Sequence, residues 1–197
     1  MTCYSELQQD LIIMIASVHS WMVALLEDGR MCKWLDTDIL NIKVIEDIEP
    51  VAIMVKSPQY RNPAVLVMTQ CYRFLISTSI KDDKQSGFVD ITVFVCRALQ
   101  LSVQELENVV EIYVDDYTIA FRTEKSLGII YLRRGIKNID TAPIHSFTFP
   151  SPINLSCFGN DGGLVRTNDN KLYVFEKLFG QYMRRIRVIK VMYEVPY

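Results

Sequence analysis

"GLVRTNDNKLYVFEKLFG", Gly163 to Gly180, reads as an apolar strand, a polar turn of Thr167, Asn168, Asp169 and Asn170, and a second strand with an aromatic near its end. Alternation of apolar and polar residues around a short polar turn is the signature of a β-hairpin. One hairpin says little about a chain of 197 residues. A hairpin that recurs at a fixed period decides the architecture.

The same order of events occurs three more times. The copies are "VALLEDGRMCKWL" from Val23, "LVMTQCYRFLIS" from Leu66, "AFRTEKSLGIIYL" from Ala120 and "LVRTNDNKLYVF" from Leu164. Aligned without gaps, Leu26, Thr69, Thr123 and Thr167 share a column. Gly29, Tyr72, Ser126 and Asn170 share the turn column, and Trp34, Ser77, Tyr131 and Phe175 share a third. Three of those last four are aromatic in a chain with 11% aromatic residues, more than chance supplies.

The copies start 43, 54 and 44 residues apart. The longer middle interval holds "IKDDKQSGF", Ile80 to Phe88, a charged run with a Ser-Gly turn signal, read as an inserted loop. A short apolar segment precedes each hairpin: "LIIMIAS", "PVAIMV", "VVEIYV" and "PINLSCF". Each supplies a third strand. Units of three to four short antiparallel strands every ~45 residues fall in the range of propeller blades.

The expected fold is therefore all-β, with four propeller-like blades and little helix, forming either a small closed propeller or an open partial one. The chain reads as one repeat domain, 1–197, with repeats at approximately 10–50, 51–100, 101–148 and 149–197. "SVQELENVV" pairs Ser102 with Glu105 three residues on, a capping-box pattern. It predicts a turn or two of helix, or else Leu106 to Val109 already open the next strand.

These residues resemble the repeat of the regulator of chromosome condensation family. Ala24, Leu25, Glu27, Asp28, Gly29 and Trp34 match in the first copy. Ser156, Cys157, Thr167, Asn168, Asp169, Lys171, Leu172, Tyr173 and Phe175 match or nearly match in the fourth. The resemblance implies β-propeller blades and guanine-nucleotide exchange on a small GTPase. The family's usual ring has seven blades and this chain holds four. Most of the family's glycines are missing, since the chain has only eight.

Composition narrows the function classes. Half the residues are hydrophobic and 22% are charged, ample material for a core. A net charge of −2 provides no bulk attraction to nucleic acid. No apolar run approaches the roughly 18 residues of a membrane helix. The N-terminal "MTCYSELQQD" lacks the features of a secretory signal, so an intracellular setting is expected. Cys3, Cys32, Cys71, Cys96 and Cys157 are odd in number and widely spaced, and read as buried free thiols rather than a disulfide or zinc framework.

Candidate chemistry is sparse. His19 and His145 lack partners at ligand spacing, and His145, beside prolines, reads as part of an inter-blade loop. Asp82-Asp83 and Asp115-Asp116 read as turn residues. No cofactor, metal or catalytic residue is indicated, and an enzyme is not expected. Arg184, Arg185, Arg187 and Lys190 form the one basic cluster. It reads as a partner-binding surface for an anionic group, or as charge protecting an edge strand.

The function expected is protein–protein interaction or a structural subunit, in a large assembly such as a virion, with nucleotide exchange as the alternative. An open arc leaves blade faces uncovered, so self-association or a protein partner at the terminal repeats is expected. The strands "LIIMIA" and "IRVIKVMYEV" are expected to close a ring by sharing one sheet, or the latter to pair with another chain.

Overall fold

The computed structural model describes residues 11–18, 20–56, 65–77, 87–114, 118–132, 136–159, 162–176 and 188–191. They form four antiparallel sheets, each of four strands in sequence order. Sheet 1 holds β1 (Ile12–Val18), β2 (Trp21–Leu26), β3 (Met31–Leu35) and β4 (Asp38–Val44). Sheet 2 holds β5 (Val51–Lys56), β6 (Val65–Thr69), β7 (Phe74–Ser77) and β8 (Val89–Asp90). Sheet 3 holds β9 (Glu111–Val114), β10 (Thr118–Arg122), β11 (Ser126–Tyr131) and β12 (Ile144–Thr148). Sheet 4 holds β13 (Ile153–Gly159), β14 (Gly162–Thr167), β15 (Leu172–Glu176) and β16 (Val188–Val191). The apolar segment before each hairpin is the first strand of its sheet, and the fold is an open, propeller-like all-β one.

The repeat is visible in individual hydrogen bonds. In sheets 1, 2 and 4 the amides of Leu26, Thr69 and Thr167 donate to the carbonyls of Arg30, Arg73 and Lys171 at 2.9, 2.9 and 3.0 Å. The amides of Gly29, Tyr72 and Asn170 donate back to Leu26, Thr69 and Thr167. That geometry puts the last turn residue in the left-handed region: φ is 89° at Gly29, 61° at Tyr72 and 59° at Asn170. The next amide along, of Glu27, Gln70 or Asn168, donates to the carbonyl of Leu11, Pro50 or Pro152, just before the first strand. A bulge follows in each first strand, between Ile12 and Met14, Val51 and Ile53, and Ile153 and Leu155. Two sheets also hang from the preceding hairpin: Val51 donates to the Gly29 carbonyl and Ile153 to that of Glu124.

The turn column gives a direct test. A side chain in the left-handed region costs about 1–2 kcal/mol, and glycine avoids that at an entropy cost of about 0.5–1 kcal/mol. Tyr72→Gly is therefore expected to stabilise the protein by about 0.5–1 kcal/mol in urea melts. Gly29→Ala should destabilise it by at least about 1 kcal/mol, because its Cβ would also meet the Val51 carbonyl oxygen at 3.0 Å. Equal signs for the two substitutions would deny that these turns are equivalent.

The third copy departs from the gapless alignment. Thr123 donates to Ser126, so its turn is one residue shorter, closed by the Ser126 amide on Thr123 Oγ1 at 2.9 Å. Residues beyond that turn slip by one relative to the other copies. Trp34 faces Met22, Ser77 faces Val65 and Phe175 faces Gly163, but Tyr131 faces Thr118. Ile130, opposite Ile119, is the true equivalent, and Tyr131 belongs to the other face of its sheet. Trp34 is only half-buried, whereas Phe175 is buried.

Three apolar cores join the sheets in series. Between sheets 1 and 2 lie Val23, Leu25, Met31, Val65, Val67 and Leu75. Between sheets 2 and 3 lie Leu66, Phe74, Ile76, Ile119, Phe121 and Ile130. Between sheets 3 and 4 lie Ala120, Ile129, Tyr131, Val165 and Phe175. Among the described residues no core joins sheet 4 to sheet 1, so the open partial form is the one observed. β16 pairs with β15 inside sheet 4 and not with β1. The expected sharing of one sheet by the two chain ends is thereby corrected.

The middle interval contains a helix that the sequence reading missed. α1 (Thr92–Leu99) follows β8, and Ile91, Val95, Ala98 and Leu99 enter the core between sheets 2 and 3. Their spacing is helical, but four β-branched residues in "DITVFV" disguise it as a strand. The capping box forms: the Ser102 amide and hydroxyl donate to Glu105 at 2.9 and 2.7 Å, opening a 3₁₀ helix over Val103–Asn108. A second 3₁₀ helix spans Ile136–Thr141.

Candidate interaction surface

Most of the chemistry singled out in the sequence lies beyond what the structure places. His19, Asp82, Asp83, Asp115, Asp116, Arg184, Arg185 and Arg187 are outside the described residues, and of Lys190 only its backbone position in β16 is given. His145 is not in a loop. It lies in β12, with its ring edge-on to Tyr131 at 5.5 Å, and burial holds its pKa below the ordinary imidazole value. Among the described residues no group of three or more His, Cys, Asp and Glu could hold a metal ion. Cys32 is buried and Cys96 half-buried, but Cys71 and Cys157 are exposed, against the expectation of buried thiols.

Two polar clusters hold neighbouring elements together. Arg122 Nε donates to Glu111 Oε2 at 2.7 Å, and the hydroxyl of Ser156 in sheet 4 donates to the same oxygen. Arg73 bridges Asp90 and Glu49, at 2.9 and 3.3 Å. Asp90 Oδ1 also accepts from the Thr92 amide and hydroxyl at 2.9 and 2.6 Å, fixing the start of α1. Burial raises the Asp90 pKa, but the bonds from Thr92 and Arg73 outweigh it and hold it below 3.8.

The sign follows from linkage. A depressed carboxylate pKa stabilises the fold above the unfolded value, and that contribution is lost as pH falls through the folded one. Asp90→Asn is expected to cost about 1 kcal/mol at pH 7, a modest figure because 44% of its side chain is exposed. Below pH 3.8 the difference from wild type should shrink, as followed by urea melts across pH. A difference constant from pH 7 to pH 2 would contradict the assignment.

The surface best suited to a partner is the outer face of sheet 4. Register puts Leu155, Cys157, Leu164, Arg166, Leu172 and Val174 on one side of β13, β14 and β15. Leu155 is 57% exposed and Leu164 43%, while Leu172 and Val174 are half-buried. At the other end, β1 exposes Ile12 to Ile15 in an unbroken run. Soluble monomers rarely show contiguous apolar surface of this kind without a function for it. The sequence carried a signal for this surface: in β14 and β15 apolar residues occupy both alternating sets, as in a strand covered on both sides.

No family model matches the sequence, and no curated protein sequence is significantly similar to it. Solved structures do share its fold. Human WBSCR16 matches with a TM-score of 0.56 at 8% identity, over 93% of this chain and 52% of that one. Prp20p of Saccharomyces cerevisiae, a structure reported with its binding to Gsp1p and histones, matches with a TM-score of 0.51 at 10% identity, over 85% and 46%. Hsv2 of Kluyveromyces lactis matches with a TM-score of 0.50 at 9% identity, over 88% and 48%. The chain thus spans about half the length of the solved chains it matches. The kinship is one of propeller-like architecture.

Proposed function

We propose that this chain is a non-enzymatic protein-interaction module, a propeller segment that works inside the cell with its terminal sheet faces covered by protein. The observation that carries this is the exposed apolar face of sheet 4, with Leu155 and Leu164 at 57% and 43% exposure. A blade of this type is stable when both its faces are covered, and among the described residues an apolar core covers only one face of this one. The full chain and a Leu155→Asp/Leu164→Asp variant should be compared by quantitative affinity purification. Loss of the associated proteins with unchanged circular dichroism supports the module. An identical set of associated proteins overturns it.

A more specific form of this reading is regulation of a small GTPase. It is favoured by two observations: the sequence resembles repeats of a family for which exchange is implied, and Prp20p is among the structures sharing its fold. In a fluorescent-nucleotide release assay over a panel of small GTPases, this form expects accelerated release from at least one member. No acceleration across the panel removes it and leaves the module standing. A virion setting gains no support from the structures matched and is not part of the proposal.

A further inference from the structure

The sheets pack on one another in a single register. Each has a leading face, turned to the sheet that follows, and a trailing face, turned to the one before. The residue just before the shared column of Leu26, Thr69, Thr123 and Thr167 lies on the leading face: Leu25, Met68, Arg122 and Arg166. Directly opposite, on the first strand of each sheet, stand Met14, Ile53, Glu111 and Leu155. Two residues earlier on the same face, Val23, Leu66 and Ala120 are 0, 0 and 2% exposed, sealed by the next sheet. Leu164 holds that place in sheet 4 and is 43% exposed.

What the following sheet offers to the pair beside the column matches the chemistry of that pair. The residue that meets it, on the first strand of the next sheet, is Met54 in sheet 2, Ile112 in sheet 3 and Ser156 in sheet 4. Leu25 shares a core with Met54, and Ile112 packs against the core that holds Met68, so apolar meets apolar. Arg122 and Glu111 are a polar pair, and they meet a hydroxyl. Arg122 Nε donates to Glu111 Oε2 at 2.7 Å, and Ser156 Oγ donates to the same oxygen. Arg122 Nη1 also reaches the Ile153 carbonyl of sheet 4 at 3.5 Å. An arginine covered at this place is thus held by a carboxylate beside it.

Sheet 4 repeats the arginine without the carboxylate. Arg166 stands where Arg122 does, and Leu155 stands where Glu111 does. Arg166 is exposed, and among the described residues its side chain bonds a neutral atom, Asn170 Oδ1, at 2.7 Å. Any surface that covers Leu155 and Leu164 takes this guanidinium out of water with them. A covered charge without a partner is costly, and the leucine cannot supply one. We propose that the leading face of sheet 4 docks a protein partner whose contact surface is apolar and carries one Asp or Glu set against Arg166. The apolar part covers Leu155, Leu164 and Val174, and the carboxylate does for Arg166 what Glu111 does for Arg122. This rests on the interaction-module reading and names the chemistry of its partner.

The test is photo-cross-linking from this face followed by charge exchange. Cys157 is exposed and lies opposite Leu164. The full chain with Cys157→p-benzoylphenylalanine is irradiated in a lysate of the cells that express it, and the partner's cross-linked peptide is mapped by mass spectrometry. The expected peptide is apolar with an Asp or Glu in it. Against that partner, purified, Arg166→Glu should bind at least about 30-fold more weakly with unchanged circular dichroism, the usual loss for one member of a covered charge pair. Replacing the mapped carboxylate by lysine should weaken binding to the wild-type chain similarly and restore binding to Arg166→Glu. No cross-link, a mapped peptide without a carboxylate, wild-type binding by Arg166→Glu, or no rescue on exchange would overturn the proposal. If Arg166→Glu keeps its partner while Leu155→Asp/Leu164→Asp loses it, the carboxylate pairing fails and the interaction module survives. Should Arg166→Glu misfold, Arg166→Gln carries the comparison, with an expected loss of at least about tenfold.

Discussion

Replacing Phe121 by alanine is expected to cost about 3–5 kcal/mol, against the roughly 5–15 kcal/mol that keeps an ordinary domain folded. Phe121 is fully buried in the core between sheets 2 and 3. It meets the ring of Phe74 edge-on, with centroids 5.3 Å apart and planes at 85°. That pairing contributes about 0.5–1.5 kcal/mol beyond the area removed from water. Little can collapse into the space: Gly128 stands opposite Phe121 in the register, and α1 closes the side. Trp34 supplies the contrast. It is half-buried and belongs to none of the three cores, so Trp34→Ala should cost less than about 2 kcal/mol. Urea melts of the two variants check the difference. Equal losses would mean that the four sheets do not share cores in series.

How much of this was legible in the sequence follows from where each signal resides. The hairpins were legible because turn chemistry is local: Gly29 and Asn170 suit a left-handed turn residue, and apolar alternation sets the flanking strands. Tyr72 was legible only through its column, since nothing about a tyrosine announces φ of 61°. The shortened third turn was not legible. Thr123 closes it through its own side chain, which a gapless alignment cannot register, and the slip moved Tyr131 to the wrong face. α1 was lost because Val93, Val95 and Thr92 favour strands locally, while burial of Ile91, Val95, Ala98 and Leu99 decides the outcome through contacts distant in sequence. The interaction surface was half legible. That terminal sheets need cover followed from the repeat count, but the identity of the exposed face depends on which alternate set points outward, and only register gives that.

Gly128→Val tests the placement of α1, and its sign is the informative part. In an ordinary strand, replacing glycine by a β-branched residue gains stability, because it removes conformational freedom from the unfolded chain and suits the pleat. At Gly128 the opposite is expected, a loss of about 3 kcal/mol. A Cβ built there stands 2.7 Å from the Ala98 carbonyl carbon and 2.8 Å from both its oxygen and its Cβ. Two of those three atoms are backbone, so no rotamer change relieves the overlap. The helix itself must move, and it is anchored: Ser146 Oγ donates to the Ala98 carbonyl at 2.6 Å, and Val95 and Leu99 sit in the core. Adding Ala98→Gly removes only the Cβ contact and should recover less than half of the loss, as a double-mutant cycle by urea melts would read. Full recovery would place the crowding in the side chain alone. A stabilised Gly128→Val would mean that α1 does not lie against β11 and that the sheet 2 and sheet 3 cores meet without it.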